Sequence, residues 1–165
     1  MILLALGANL PHPRWGPPSA TCAAALAALT AAGIRPVRCS RWYRSRPVPA
    51  SDQPDFVNGV AAVETALEPA ALLAELHRIE AVFGRRRGAA NAARTLDLDL
   101  LAYDERVADG CDGGPVLPHP RLAERAFVLL PLAEVAPGWR HPVSGAGIAA
   151  LVAALPAGAE AQPLA

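Results

Sequence analysis

Asp97 and Asp99 lie in the run Leu96-Asp97-Leu98-Asp99-Leu100, which repeats with a period of two. In a strand, that period puts the leucines on one face and both carboxylates on the other, about 7 Å apart along the chain. Adjacent carboxylates repel unless a cation lies between them. A pair of magnesium ions meets that need, since two-metal phosphoryl-transfer sites hold their ions roughly 3.5–4 Å apart. Alternation by itself asks only for polar residues, so for a bare Asp-x-Asp an acidic solvent face is the simpler account.

The neighbouring residues favour the chemical reading. Arg85, Arg86 and Arg87 precede the pair, and Arg94 lies three residues before Asp97. Guanidinium groups grip phosphate oxygens in a fixed fork, so a polyphosphate held by arginines on one side and metal on the other fits this segment. Its Gly and Ala residues between 88 and 93 suggest a lid that is mobile without ligand. A solvated basic loop is the plain alternative. Leu117-Pro118-His119-Pro120-Arg121 presents His119 and Arg121, with Arg125 one helical turn on. His77 and Glu80, at i,i+3, read as an exposed pair. In Gln53-Pro54-Asp55-Phe56-Val57-Asn58, the Phe could stack on a flat heterocycle while Asn58 reads its edge. A core Phe and a turn-capping Asn explain those two residues as well.

Composition sets limits. All 15 positive side chains are arginine and none is lysine, which excludes a Schiff base and the phosphate-binding loop ending in Lys-Ser/Thr. The formal net charge is zero, against bulk binding to nucleic acid or an anionic membrane. Cys22, Cys39 and Cys111 are widely spaced and form no metal or disulfide pattern, as expected in the reducing cytoplasm. The apolar run from Met1 to Leu6 reads as a buried strand rather than a signal peptide, and no stretch approaches a membrane span.

The positioning elements follow from periodicity. Strands are expected at Ile2 to Leu6, Ile34 to Tyr43, Phe56 to Glu64 and Leu96 to Leu100. One helix is capped by Ser19 and stops at Gly33. A second starts at Pro69, carries the stripe Leu72, Leu73, Leu76, Ile79 and Phe83, and stops at Gly84. Further helices are expected over Arg121 to Val135 and Ile148 to Leu155. The order βαββαβ is that of an α+β, ferredoxin-like core: an antiparallel sheet with helices on one face, plus extra C-terminal helices. Residues 1–156 read as one domain and 157–165 as a frayed tail.

Together the segments resemble the 6-hydroxymethyl-7,8-dihydropterin pyrophosphokinase family. The resemblance runs through Leu4-Ala5-Leu6-Gly7-Ala8-Asn9-Leu10, Ser40 to Tyr43, Asp52 to Asn58, Arg78-Ile79-Glu80, Arg94-Thr95-Leu96-Asp97-Leu98-Asp99, Pro118 to Leu122 and Glu124 to Leu129, over roughly the first 137 positions. It implies a monomeric enzyme of folate synthesis that moves diphosphate from ATP to a hydroxymethyl pterin. By the same resemblance, Asp97 and Asp99 bind two Mg2+ ions, and Arg85 and Arg94 stabilise the phosphates. His77, Glu80, Arg87, His119 and Arg125 line the nucleotide site. Phe56 and Phe127 sandwich the pterin, Asn58 bonds its edge, and backbone near Ser45 and Val48 completes the pocket. Departures from the family pattern are Asn91 for a common Trp, Ala90 for a basic residue, Phe56 for Tyr, Ala8 for Ser, Arg46 for Pro and His77 for Gln. Two other functions remain open: a ferredoxin-like regulatory module that binds a ligand without turnover, and a metal nuclease.

Overall fold

The computed structural model describes residues 1–85 and 92–165. Its elements begin β1 (Ile2–Ala8), α1 (Pro18–Ala31), β2 (Arg35–Cys39), β3 (Tyr43–Ser45), β4 (Phe56–Glu64), α2 (Pro69–Val82) and β5 (Asp97–Tyr103). The short pair β6 (Ala108–Asp109) and β7 (Val116–Leu117) follows, then α3 (Ala126–Val135), α4 (Ile148–Ala153) and β8 (Gln162–Pro163). The main sheet runs β5-β1-β4-β3-β8, with β2 also on β4, and all of its pairings are antiparallel. With β2 and β3 taken as one broken strand, this is the expected ferredoxin-like order.

The break has a visible cause. Three residues, Ser40 to Trp42, bridge the two β4 registers at Ala61 and Asn58. Ser40 Oγ accepts the Val60 N–H at 3.0 Å, so a side chain stands in for a ladder carbonyl. The Trp42 ring then lies over Gly59, where an added Cβ would come within 2.6 Å of it. Only glycine permits that approach.

Helices cover both faces of the sheet, not one. Leu4, Leu6, Leu98 and Leu100 face α1 and α2, packing with Cys22, Leu29, Leu72, Leu76, Ile79 and Phe83. On the opposite face Leu3, Val60 and Leu101 pack with Val128, Leu129, Leu132 and Ile148 from α3 and α4. A register shift between Leu3 and Leu4 puts two successive residues, Leu101 and Ala102, into the same core, while Leu100 and Tyr103 enter the other. Helix stops match the sequence: Gly33 and Gly84 both adopt φ +76° just past α1 and α2.

Other expectations need correction. α1 starts at Pro18 with no side-chain cap, so Ser19 does not cap it. Leu122–Glu124 form a separate 3-10 turn, and α3 begins only at Ala126. The segment after Pro156 is not frayed throughout. Gln162–Pro163 pair with β3, and the Leu164 N–H donates to Trp42 O at 2.8 Å.

Candidate active site

Strand pairing brings the functional side chains to one face. Asp99 lies opposite Ala5, and Asp97 opposite Gly7. Gly7 in turn lies opposite Asn58 on β4, so Asp97, Gly7 and Asn58 form a row across three strands. The small residues of β1 leave open the space beside the carboxylates. Gly7 is needed there, because a Cβ would sit 2.9 Å from Asn58 Oδ1. The row lies at the end of the sheet where α3 begins, and Phe127 in its first turn closes the space from above.

A single pocket results. It is lined at one end by Arg94, Asp97, Asp99 and Arg125, and at the other by Ser45, Val48, Phe56, Asn58 and Phe127. Asn58 is buried and donates through Nδ2 to Ser45 Oγ at 2.9 Å, which fixes its amide. The Arg125 guanidinium lies 5.5 Å from the Phe127 ring centroid, joining the cationic end to the aromatic end.

The charged end is a network. Arg85 and Arg94 each donate to a different oxygen of Asp97, and Arg85 also donates to Glu80. Arg125 lies 4.0 Å from Asp99. Burial and the neighbouring Asp97 carboxylate push Asp99 up to about 6. His119 docks on β5 through its backbone N–H, which donates to Leu101 O at 2.8 Å. Burial, then Arg125 and Arg121, hold its imidazole below the usual histidine range, which favours the neutral form.

Glu80 departs from expectation. It is not half of an exposed pair with His77: it is 2% exposed and accepts the Leu98 N–H at 2.7 Å along with Arg85. Its carboxylate is spent on the edge of β5 and on Arg85, so it supports the site from beneath and does not line the pocket. His77, three residues earlier on α2, is half-buried and also does not line it. Arg87 and most of the expected lid, residues 86–91 with Arg86, Ala90 and Asn91, fall outside the described residues; Ala92 lines the pocket. Asn9, Gly7 and Arg46 belong to the site's surroundings although sequence reasoning gave them no role. Asn9 and Gly7 had one available signal, their place in the quoted segment Leu4 to Leu10.

Burial pushes Glu80 up to about 7 from an ordinary glutamate value of 4.5. The folded carboxyl thus holds its proton where the unfolded one has lost it. Between pH 4.5 and about 7 the native state binds more protons, and stability falls as pH rises through that window. Glu80→Gln, neutral throughout, removes this contribution. The stability of the variant relative to wild type should therefore rise from pH 4.5 to 7, as followed by urea titration. A difference independent of pH would show that Glu80 is charged across the whole window.

Comparison with known proteins identifies the family of the chain. The family 7,8-dihydro-6-hydroxymethylpterin-pyrophosphokinase matches residues 3–137. A 2-amino-4-hydroxy-6-hydroxymethyldihydropteridine pyrophosphokinase of Pseudomonas aeruginosa is 43% identical over 158 residues, 94% of this chain and 91% of that protein. One from Synechocystis is 46% identical over 121 residues, 73% of this chain, and the match spans only 60% of that relative's length. The HPPK-DHPS protein of Plasmodium falciparum, crystallised with pteroate, superposes with a TM-score of 0.68 at 13% identity. That superposition covers 92% of this chain and 41% of that one, and speaks for the fold alone. With the family match covering most of its length, the chain belongs to the 7,8-dihydro-6-hydroxymethylpterin-pyrophosphokinase family.

Proposed function

We propose that this pyrophosphokinase transfers diphosphate from ATP to the hydroxymethyl group of 6-hydroxymethyl-7,8-dihydropterin, in folate synthesis. One observation carries the reading: a carboxylate pair flanked by arginines and an aromatic slot with a fixed amide meet in one pocket. In the reaction the substrate hydroxyl oxygen bonds to the β-phosphorus and the bond from that phosphorus to the α-phosphate oxygen breaks. AMP leaves, and the hydroxyl proton passes to solvent.

Each end of the pocket has its task. Phe56 and Phe127 hold the flat ring, Asn58 meets its edge, and Ser45 keeps that amide oriented. Arg85 and Arg94, resting on Asp97, are placed to shift their donors onto phosphate oxygens as charge develops. Arg125 and His119 hold the nucleotide side. Asp97 and Asp99 are a donor set suited to magnesium, which is usually bound by one or two carboxylates together with substrate phosphates. When bound, two such ions would neutralise phosphate charge and orient the chain of phosphates. We also place the protein in the cytoplasm, on its three free cysteines, two of them exposed, and take it as a monomer on the family resemblance.

The test mixes pure protein with ATP, magnesium and the pterin and separates the nucleotide products. Pterin-dependent AMP, lost on chelation, supports the reading. ADP would mean transfer of a single phosphoryl group. Binding of the pterin without any product would favour the regulatory module.

A further inference from the structure

Asn9 follows directly on β1 and is 1% exposed. Its side chain faces two ways. Oδ1 accepts the backbone N–H of Arg94 at 2.8 Å. Nδ2 donates to Gln53 Oε1 and to Pro54 O, both at 3.1 Å. The backbone N–H groups of Asn9 and Leu10 both donate to Arg94 O, at 3.0 and 3.1 Å. An amide can accept on one side while donating twice on the other; a carboxylate cannot donate and a leucine can do neither.

The two sides belong to opposite ends of the pocket. Arg94 holds Asp97, whereas Gln53 and Pro54 lead within a few residues to Phe56 and Asn58. Pairing with β4 and β5 already fixes β1, so this crosslink is not needed to place the strand. The same stretch of chain also grips the segment leading into Arg85: Trp15 stacks on Phe83 with ring centroids 4.0 Å apart.

We propose that Asn9 is a positioning residue that holds the arginine end and the pterin end of the pocket in one frame. The inference rests on the diphosphate-transfer reading. In-line displacement needs the attacking hydroxyl and the phosphorus aligned, and a misplacement of about 1 Å can cost ~10²-fold in rate. Binding of each substrate alone needs no such alignment. A frame residue therefore acts on turnover and leaves the separate affinities in place.

Asn9→Asp tests this selectively. It keeps an acceptor for the Arg94 N–H but sets a carboxylate oxygen against the Pro54 carbonyl. Gln53→Ala removes one of the same bonds and carries the test should Asn9→Asp fail to fold. The expected result is a kcat loss of about 10²-fold for Asn9→Asp and several-fold for Gln53→Ala. Dissociation constants for the pterin alone, and for a non-hydrolysable ATP analogue alone, should stay within about threefold of wild type. The double variant should be no slower than Asn9→Asp, since both act on one crosslink. Unchanged kcat in the folded variants would overturn the proposal, as would binding and turnover falling in equal proportion, the mark of a merely structural role. If wild type itself forms no pterin-dependent AMP, the diphosphate-transfer reading fails first, a result distinguishable from either.

Discussion

Asp97→Asn should cut pterin-dependent AMP formation by roughly 10³-fold while leaving a folded protein. Asp97 is the hub of the charged end: two arginines converge on it, and Asp99 lies two residues away on the same face of β5. The asparagine keeps the shape and one acceptor but loses the negative charge and turns an amide towards one guanidinium. Arg85 retains Glu80 and both arginines keep some contact with water, so neither guanidinium is stranded and the variant should still fold. The measurements are initial rates of AMP release at saturating substrates, beside a thermal melt. Turnover within tenfold of wild type would remove Asp97 from the chemistry.

Arg85→Ala should be of comparable size, roughly 10³-fold in kcat, because arginines that meet transition-state phosphate charge carry effects of that order. Its geometry separates it from an ordinary surface arginine. It spans from buried Glu80 to Asp97 and is itself only about a fifth exposed. Arg85→Lys should recover little. Arg85 meets both carboxylates through Nη1, so a lysine ammonium in its place would be taken up by them, whereas the guanidinium carries further N–H donors for phosphate oxygens. Should lysine restore turnover to within a few-fold, point charge alone would suffice, and the role given to those further donors would be wrong. Steady-state kcat for the two variants decides between these outcomes.

The acidic pair was legible in the sequence because period-two alternation with three leucines fixes which face each residue takes. The core helices were legible for the same kind of reason: of the stripe Leu72, Leu73, Leu76, Ile79 and Phe83, all but the half-buried Leu73 are buried as the spacing requires. Glu80 was misread because its burial depends on partners brought by other elements, the edge N–H of Leu98 and the returning Arg85. A charged residue one turn from a histidine carries no mark of that. Asn9 is harder still, since its partners stand 44, 45 and 85 positions away and none is paired with it in a strand. The break between β2 and β3 rests on a serine hydroxyl replacing a backbone carbonyl, a substitution that no periodicity reveals. A two-residue strand such as β8 is likewise too short to show a pattern.

The sheet's two covered faces bear on how this protein can vary by inheritance. β1 reads Ile-Leu-Leu-Ala-Leu-Gly-Ala, is paired on both edges, and is buried at every position but Ala5, which itself lines the pocket. Such a strand has no neutral face, so seven successive codons admit almost no polar change. β5 differs. Changes at Leu98 or Leu100 would lower the amount of folded protein, whereas changes at Asp97 or Asp99 would leave it abundant and inert. Along one strand, alternate positions would thus divide variants into those that vanish from the cell and those that persist without working.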